Sequence, residues 1–282
     1  MKKRWKIIIL VFFSFIILMS LLPVIFIATN SMMSEIEIFN HYGLLYGQRD
    51  GIIEMTFAPD KISLKPYLEL LFLTPEYFIC LTNSVIVVAL IMFGQLIIAS
   101  MAAYAFARLK FKGRDTLFFI YIVTMLLPFQ AIFVPNYFTL NSLHMLDSLE
   151  ALIYPGIFST FGVFLLRQFM AYIPNACVEA AKIEGANQFE IFSQIIIPLS
   201  KNAIGALCIL LFIDYWNMIE QPLLFIDNMT KWPLSIYLSE INKYQVNIAF
   251  PASTIYIIPT ICVFLISRNA LVEGIEYSSI KG

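Results

Sequence analysis

The stretch Pro174–Lys201, PNACVEAAKIEGANQFEIFSQIIIPLSK, decides how the rest of the chain is read. Apolar runs flank it on both sides, while it alternates polar and apolar residues at helical spacing. Pro174 suits a first helical turn, where a missing N–H costs nothing. Glu179 then falls towards the positive end of that short helix, and the Val178–Ala181 face is small enough to admit another surface. Gly185 interrupts the pattern where a turn can use positive φ. Phe189, Phe192, Ile195 and Ile196 resume helical spacing until Pro198. The spacing predicts two short helices joined at a glycine, held at a membrane face as a knob for docking.

Composition says the same of the surroundings. The chain has 282 residues, 60% hydrophobic and 13% charged, with mean hydropathy +0.82. Soluble domains average about 45–50% apolar and about 25% charged, so this is a membrane protein. Net charge is −1, which gives no general case for nucleic-acid binding. Cys80, Cys177, Cys208 and Cys262 stand singly and read as small packing residues rather than disulfides or zinc ligands.

An apolar run from Ile7 to Ala28 follows the basic start Lys2-Lys3-Arg4-Trp5-Lys6. A cleaved signal is the rival reading, but signal cores span about 7–15 residues and this run reaches spanning length. Residues 29–77 are more polar and read as an outside loop, in which SLKPYLELLF is either an interfacial helix or plain loop. Five further spans follow: Phe78–Phe106, Leu117–Leu140 with Pro128 and Pro135, Ala151–Tyr172 with Pro155 and Gly156, Ala203–Phe225, and Pro251–Ser267 with Pro259. Internal prolines need neighbours to satisfy the carbonyls they release, which favours a packed bundle. Ala99, Ser100, Ala102 and Ala103 suit close helix contact. The organisation expected is a first helix and outside loop in 1–77, then a five-helix core in 78–282 carrying the loop 174–201 and a C-terminal tail.

Basic residues orient the bundle. Thirteen Lys and Arg fall in the segments assigned inside and five in those assigned outside. The bias puts both termini and the Pro174–Lys201 knob in the cytoplasm, and six spans give the required parity.

Glu179-Ala180-Ala181, then Gly185, Ile195 and Pro198, resembles the EAA loop of ABC-importer permeases, whose pattern is Glu-Ala-Ala, three residues, Gly, nine residues, Ile, any residue, Leu, Pro. Ile197 replaces the Leu, and Glu184 stands where the family usually has Asp before Gly185-Ala186. AAYAFARLKFKGRD (102–115), MLLPFQAIFVPNYFTLNSLHMLDS (125–148) and the closing Gly274…Ile280-Lys281-Gly282 are similar to the maltose-type carbohydrate-importer permeases. The likeness covers most of 78–282, and the first 77 residues match in layout only. It implies an all-α type I importer fold of six transmembrane helices. It also implies a bacterial-type plasma membrane, a second homologous permease chain, two ATPase subunits that bind ATP and Mg, and an extracytoplasmic solute-binding protein. Glu179, Ala180, Ala181, Glu184, Gly185, Ala186, Ile195 and Pro198 would then contact the ATPase subunit. The alternative is an ordinary amphipathic cytoplasmic hairpin.

Nothing catalytic is expected. No glycine precedes a lysine, so no phosphate-binding loop can be built. His41 and His144 lie in different loops, each far in sequence from a Cys or His partner, so no metal is expected. Aromatics such as Phe118, Phe119, Tyr121, Phe161, Phe164 and Phe169 read as packing or lipid-facing residues. Asp214, Trp216, Asn217, Glu220 and Gln221 lie in or near the fifth span, where ionisable groups usually face a wet cavity or a partner. Trp216, Asn217 and Pro222 partly match the family's Trp-Asn…Pro pattern. Asp214 and Glu220 either line a sugar path, with Trp216 as a stacking face, or serve helix pairing and the outer interface. The reading is a non-enzymatic permease subunit of a sugar importer; a self-contained secondary transporter and a membrane scaffold are the alternatives.

Overall fold

The computed structural model describes residues 2–43, 56–244 and 246–279. Among these residues the chain is helical throughout, with no strand. Four helices are long and apolar enough to cross a bilayer, and two bent helix pairs raise the number to six if each pair is one span. The all-α, six-span expectation therefore stands.

α1 (Lys2–Asn30) and α4 (Pro75–Arg108) are unbroken. The third apolar run is not one rod. It divides into α5 (Arg114–Met125) and α6 (Phe129–Ser142), which meet at 103°. Pro128 causes the break: it adopts ψ 138°, off the helical value, and has no N–H to continue the ladder. α7 (Glu150–Ile157) and α8 (Thr160–Tyr172) are interrupted at Phe158–Ser159, just after Pro155, yet together form one span, Glu150–Tyr172. Carbonyls released there find partners, as a bilayer demands. The Tyr215 hydroxyl donates to Gly156 O at 3.3 Å and the Gln95 amide to Ser159 O at 3.4 Å.

The fifth span needs correction. α12 (Lys201–Trp216) stops at Trp216, and a separate helix, α13, begins at Glu220 and ends at Phe225. The apolar run continues to Phe225, but Asn217 turns its side-chain amide onto Ile213 O and the helix ends there. The last helix extends beyond the expected span: α15 runs from Val246 to Ser279 through both Pro251 and Pro259, and its spanning part is Asn247–Ile266.

The chain divides into two compact units, one of residues 1–80 with 236–259 and one of 81–235 with 260–282. In the second unit, glycines set the packing. A Cβ on Gly162 would lie 2.8 Å from Gln95 Nε2 and 3.1 Å from Ala99 Cβ, and one on Gly94 would lie 2.7 Å from Ile157 Cγ1. Backbones approach that closely only where a side chain is missing. Ala99, Ser100 and Ala103 are buried along the same helix. Phe118 stacks on Phe164 at an interplanar angle of 8°, with Arg167 4.4 Å above its ring. Those aromatics pack helix on helix, while Phe119 stays exposed.

The same unit holds a polar loop cluster. Asp147 sits at φ +53°, which Asp tolerates. Its N–H donates to Phe225 O at 2.7 Å, and its carboxylate accepts Asn228 N–H at 2.9 Å and Lys231 Nζ at 3.1 Å. These partners hold the carboxyl below the usual carboxylate range, the Asn228 N–H most and the Lys231 ammonium next.

In the first unit, α2 (Glu35–Tyr42) and α3 (Lys65–Leu73) are short helices, so SLKPYLELLF is helical. Ser34 caps α2, and Tyr42 donates to Asn30 Oδ1 at 2.9 Å. Phe26 meets Tyr42, Phe57 and Phe250 edge to face, and Tyr42 lies tilted against Phe250. Lys65 bridges Glu35 and Glu69.

Candidate functional site

The knob comprises α9 (Asn175–Ile183), a turn, and a return limb of α10 (Gln188–Glu190), a π turn (Ile191–Ile196) and α11 (Ile197–Leu199). Pro174 sits just before the helix with ψ 135° rather than inside its first turn. Glu179 is accordingly mid-helix and not at the positive end.

Gly185 does what its position in the sequence suggested, adopting φ +86°. Around it the backbone closes a Schellman motif. Gly185 N–H donates to Lys182 O at 3.1 Å and Ala186 N–H to Ala181 O at 3.0 Å, which satisfies carbonyls that the helix end would leave bare. Asn187 then opens the return limb with a capping box. Its Oδ1 accepts Phe189 N–H and Glu190 N–H, while Glu190 Oε2 accepts Asn187 N–H at 2.7 Å. The sequence signal for this box is the pattern Asn187-x-x-Glu190. The π turn supplies a wider i→i−5 bond, Ile197 N–H to Phe192 O, directly ahead of Pro198. The limb meets α12 at 73°, with Ser200 at the corner.

Packing splits the Glu-Ala-Ala triplet. Val178 and Ala181 are buried beneath the helix, as are Ile191 and Ile196 of the return limb. Glu179, Ala180, Glu184, Gly185 and Pro198 face outward; Ala186 and Ile195 are half-buried. Ala181 therefore seats the knob on its own chain, and Ala180 is left for a visitor. Two exposed residues lie outside the set expected to make contact: Ile183 is 87% exposed and Phe189 72%. Their signal was an isolated apolar residue in Lys182-Ile183-Glu184 and the leading member of the Phe189 periodicity. Apolar side chains raised this far on a structured turn are what a docking surface presents.

The base of the knob is gripped from α4. Arg108 donates to Met170 O, to Ile173 O and to Asn175 Oδ1, the last at 2.6 Å. One turn earlier, the Tyr104 hydroxyl donates to Gln188 Oε1 at 2.7 Å and its ring lies 5.3 Å from that of Phe192.

The second group of expected residues is less gathered. Trp216 is 2% exposed and stacks on Phe212 at 5.3 Å, so its ring packs within the chain and offers no open face. Asp214, Asn217 and Glu220 are exposed around the end of α12. The structure also brings His41 together with Glu37 and Asp60, their ligand atoms within 4.8 Å of one another. His41 has no nearby Cys or His in the sequence, but Glu37 lies four residues before it on the same helix face. Glu37 Oε1 accepts Asp60 N–H at 2.6 Å, which ties the Asp60 turn to α2.

The comparisons with known proteins follow this architecture. The chain is 28% identical over 283 residues to the arabinooligosaccharides transport system permease protein AraQ of Bacillus subtilis, covering 99% of this chain and 96% of that protein. It is 30% identical over 200 residues to the sn-glycerol-3-phosphate transport system permease protein UgpE of Shigella flexneri, covering 69% of this chain and 71% of that one. The fold matches a crystal structure of a bacterial ABC transporter involved in the import of the acidic polysaccharide alginate, with TM-score 0.80 at 22% identity, covering 95% of this chain and 96% of that one. Residues 95–275, which include the whole knob, match a family of transport components rather than enzymes. With most of its length inside that match, the chain belongs to the binding-protein-dependent transport system inner membrane component family.

Proposed function

We infer that this multi-pass membrane protein, a permease subunit of an ABC importer, receives its driving force at the Pro174–Lys201 knob and passes an oligosaccharide or related sugar. The observation that carries the coupling role is the outward face of the knob. Ile183, Glu179, Ala180 and Phe189 project from a turn stiffened by a Schellman motif on one side and a capping box on the other. Ordered backbone beneath exposed apolar side chains lowers the entropy lost on docking. The partner is a separate ATPase subunit, which binds ATP and magnesium. Two such subunits, a second permease chain and an extracytoplasmic solute-binding protein complete the assembly. Both termini and the knob lie in the cytoplasm, in keeping with the distribution of Lys and Arg.

A carbohydrate cargo is supported by the name of the relative matched over nearly the full length. Asp214 and Glu220 are the path residues proposed to hydrogen-bond sugar hydroxyls, while Trp216 is stacked on Phe212. Two exposed carboxylates favour a neutral oligosaccharide over a polyuronide, which they would repel.

The test is reconstitution of the assembled transporter in vesicles, measuring uptake of a labelled oligosaccharide and ATP hydrolysis together. Glu179→Lys is expected to leave the protein inserted and to abolish ATP-driven uptake. Normal uptake by that variant, or uptake without ATP in the parent, would refute the coupling role.

A further inference from the structure

We propose that Tyr104 and Arg108, on the last two turns of α4, are positioning residues that carry the knob's motion into α4. The proposal rests on the coupling role of the knob and adds a second receiver to it, because the chain itself enters the knob from α8 and leaves it into α12.

The two residues are four apart, so they share one face of α4. Each takes hold of a different limb of the knob. Arg108 spans the entering limb: it reaches the Met170 and Ile173 carbonyls where α8 ends, and the Asn175 side chain where α9 begins. Tyr104 holds the return limb at Gln188, beyond the Gly185 turn. Met170 O accepts the Ile173 N–H at 3.4 Å where α8 ends and keeps a lone pair for a second donor, and a guanidinium with several fixed donors suits such helix-end carbonyls. A positive charge at a helix C-terminus is favourable as well. Gripped on both sides of its turn, the knob cannot tilt without dragging the end of α4 or breaking these bonds.

α4 is built to pass such a pull along. It is a single helix of 34 residues without an internal proline, about 50 Å long at 1.5 Å per residue. Its middle interlocks with α7 and α8 at Gly94, Gly156 and Gly162, where side chains from the facing helix fill the missing Cβ positions. Contacts that tight move as a body rather than deform. A guanidinium placed only to stabilise the fold has no need of Asn175 on the moving helix, and Tyr104 would have no reason to reach past the turn.

The assay uses the full transporter in vesicles and reads uptake per ATP hydrolysed, beside the thermal stability of the purified complex. Arg108→Ala and Tyr104→Phe are expected to lower that ratio, Arg108→Ala by about tenfold, as loss of charge-assisted bonds allows, with the ATPase subunits still bound. Arg108→Lys should recover part of the loss, since one ammonium cannot reach all three acceptors. Gln188→Leu should match Tyr104→Phe, and the double variant should be no worse than either single. A purely structural role would lower stability and yield and leave the ratio alone, which would overturn the proposal. If Arg108→Ala does not assemble, Tyr104→Phe and Gln188→Leu decide, and an unchanged ratio in both overturns it. Glu179→Lys run in parallel separates the two ideas. Loss of coupling there with normal ratios at Tyr104 and Arg108 removes this inference alone, while normal ratios everywhere remove the knob's coupling role too.

Discussion

Replacing Gly185 tests whether the knob works as a shaped turn. Its φ of +86° lies where side chains are disfavoured, yet a Cβ built there has nothing within 4 Å. The steric cost within the chain is therefore nil and the whole penalty is conformational. For Ala that is about 1–2 kcal/mol, less a few tenths regained through the unfolded chain. At the turn this net cost shifts the population of the correct shape by roughly 3–20-fold. Val costs more, because a β-branched residue in this region is a genuine outlier. Asn costs least, since it visits the left-handed region readily. ATP-driven uptake in reconstituted vesicles should then fall in the order Gly, Asn, Ala, Val, with insertion unchanged. Asn is larger than Ala, so an order following volume instead would mean that the substituted side chain collides with the ATPase subunit. That result, or normal transport by Gly185→Val, would refute the argument from backbone conformation.

The remaining expectations come from other parts of the molecule. Ile183→Ser with Phe189→Ser should weaken capture of the ATPase subunit by tenfold or more, taking about 1.5–3 kcal/mol for each apolar side chain buried on docking; equal binding by the double variant would move the docking surface elsewhere. Gly162→Leu should lower the thermal unfolding midpoint in detergent, because its Cβ alone would meet Gln95 Nε2 at 2.8 Å and Ala99 Cβ at 3.1 Å, and overpacking costs typically about 1–3 kcal/mol. An unchanged midpoint would mean that α4 and α8 are less tightly joined than described. For Asp147, the folded carboxyl titrates below its unfolded value. Its contribution to stability is thus present above the ordinary carboxylate range and is lost as pH falls through the depressed value. Asp147→Asn should lower stability at neutral and alkaline pH by that contribution and flatten the profile below about pH 4; a profile matching the parent's would show that Asn228 and Lys231 do not depend on the charge.

Local chemistry was legible before any coordinates. The glycine turn, the apolar runs and the basic segments are each set by neighbours a few residues apart. The breaks in the third and fifth runs were harder, because Leu126–Pro128 and Asn217–Ile219 interrupt helices without interrupting hydrophobicity. Sidedness within the knob was beyond reach. Whether Ala180 or Ala181 faces outward depends on how α9 rotates over Ile191 and Ile196, a tertiary fact. Arg108 was counted as a charge that orients the bundle, and nothing near it in sequence revealed that it grips residues 170–175. A stacking face on Trp216 was one of two readings open from sequence, and its packing against Phe212 is a tertiary contact that periodicity does not reveal.

The first helix has a history of its own to suggest. Across its most apolar window, α1 buries none of its residues inside the chain. A segment with so few obligations to later residues can enter the lipid as soon as it leaves the ribosome and wait there for the rest, the first step of a two-stage assembly. Its exact letters should matter little to that step. Shuffling Leu, Ile, Val and Phe between Ile7 and Ile25 ought to leave membrane integration intact, whereas the same shuffle in α4 would jam the glycine seams.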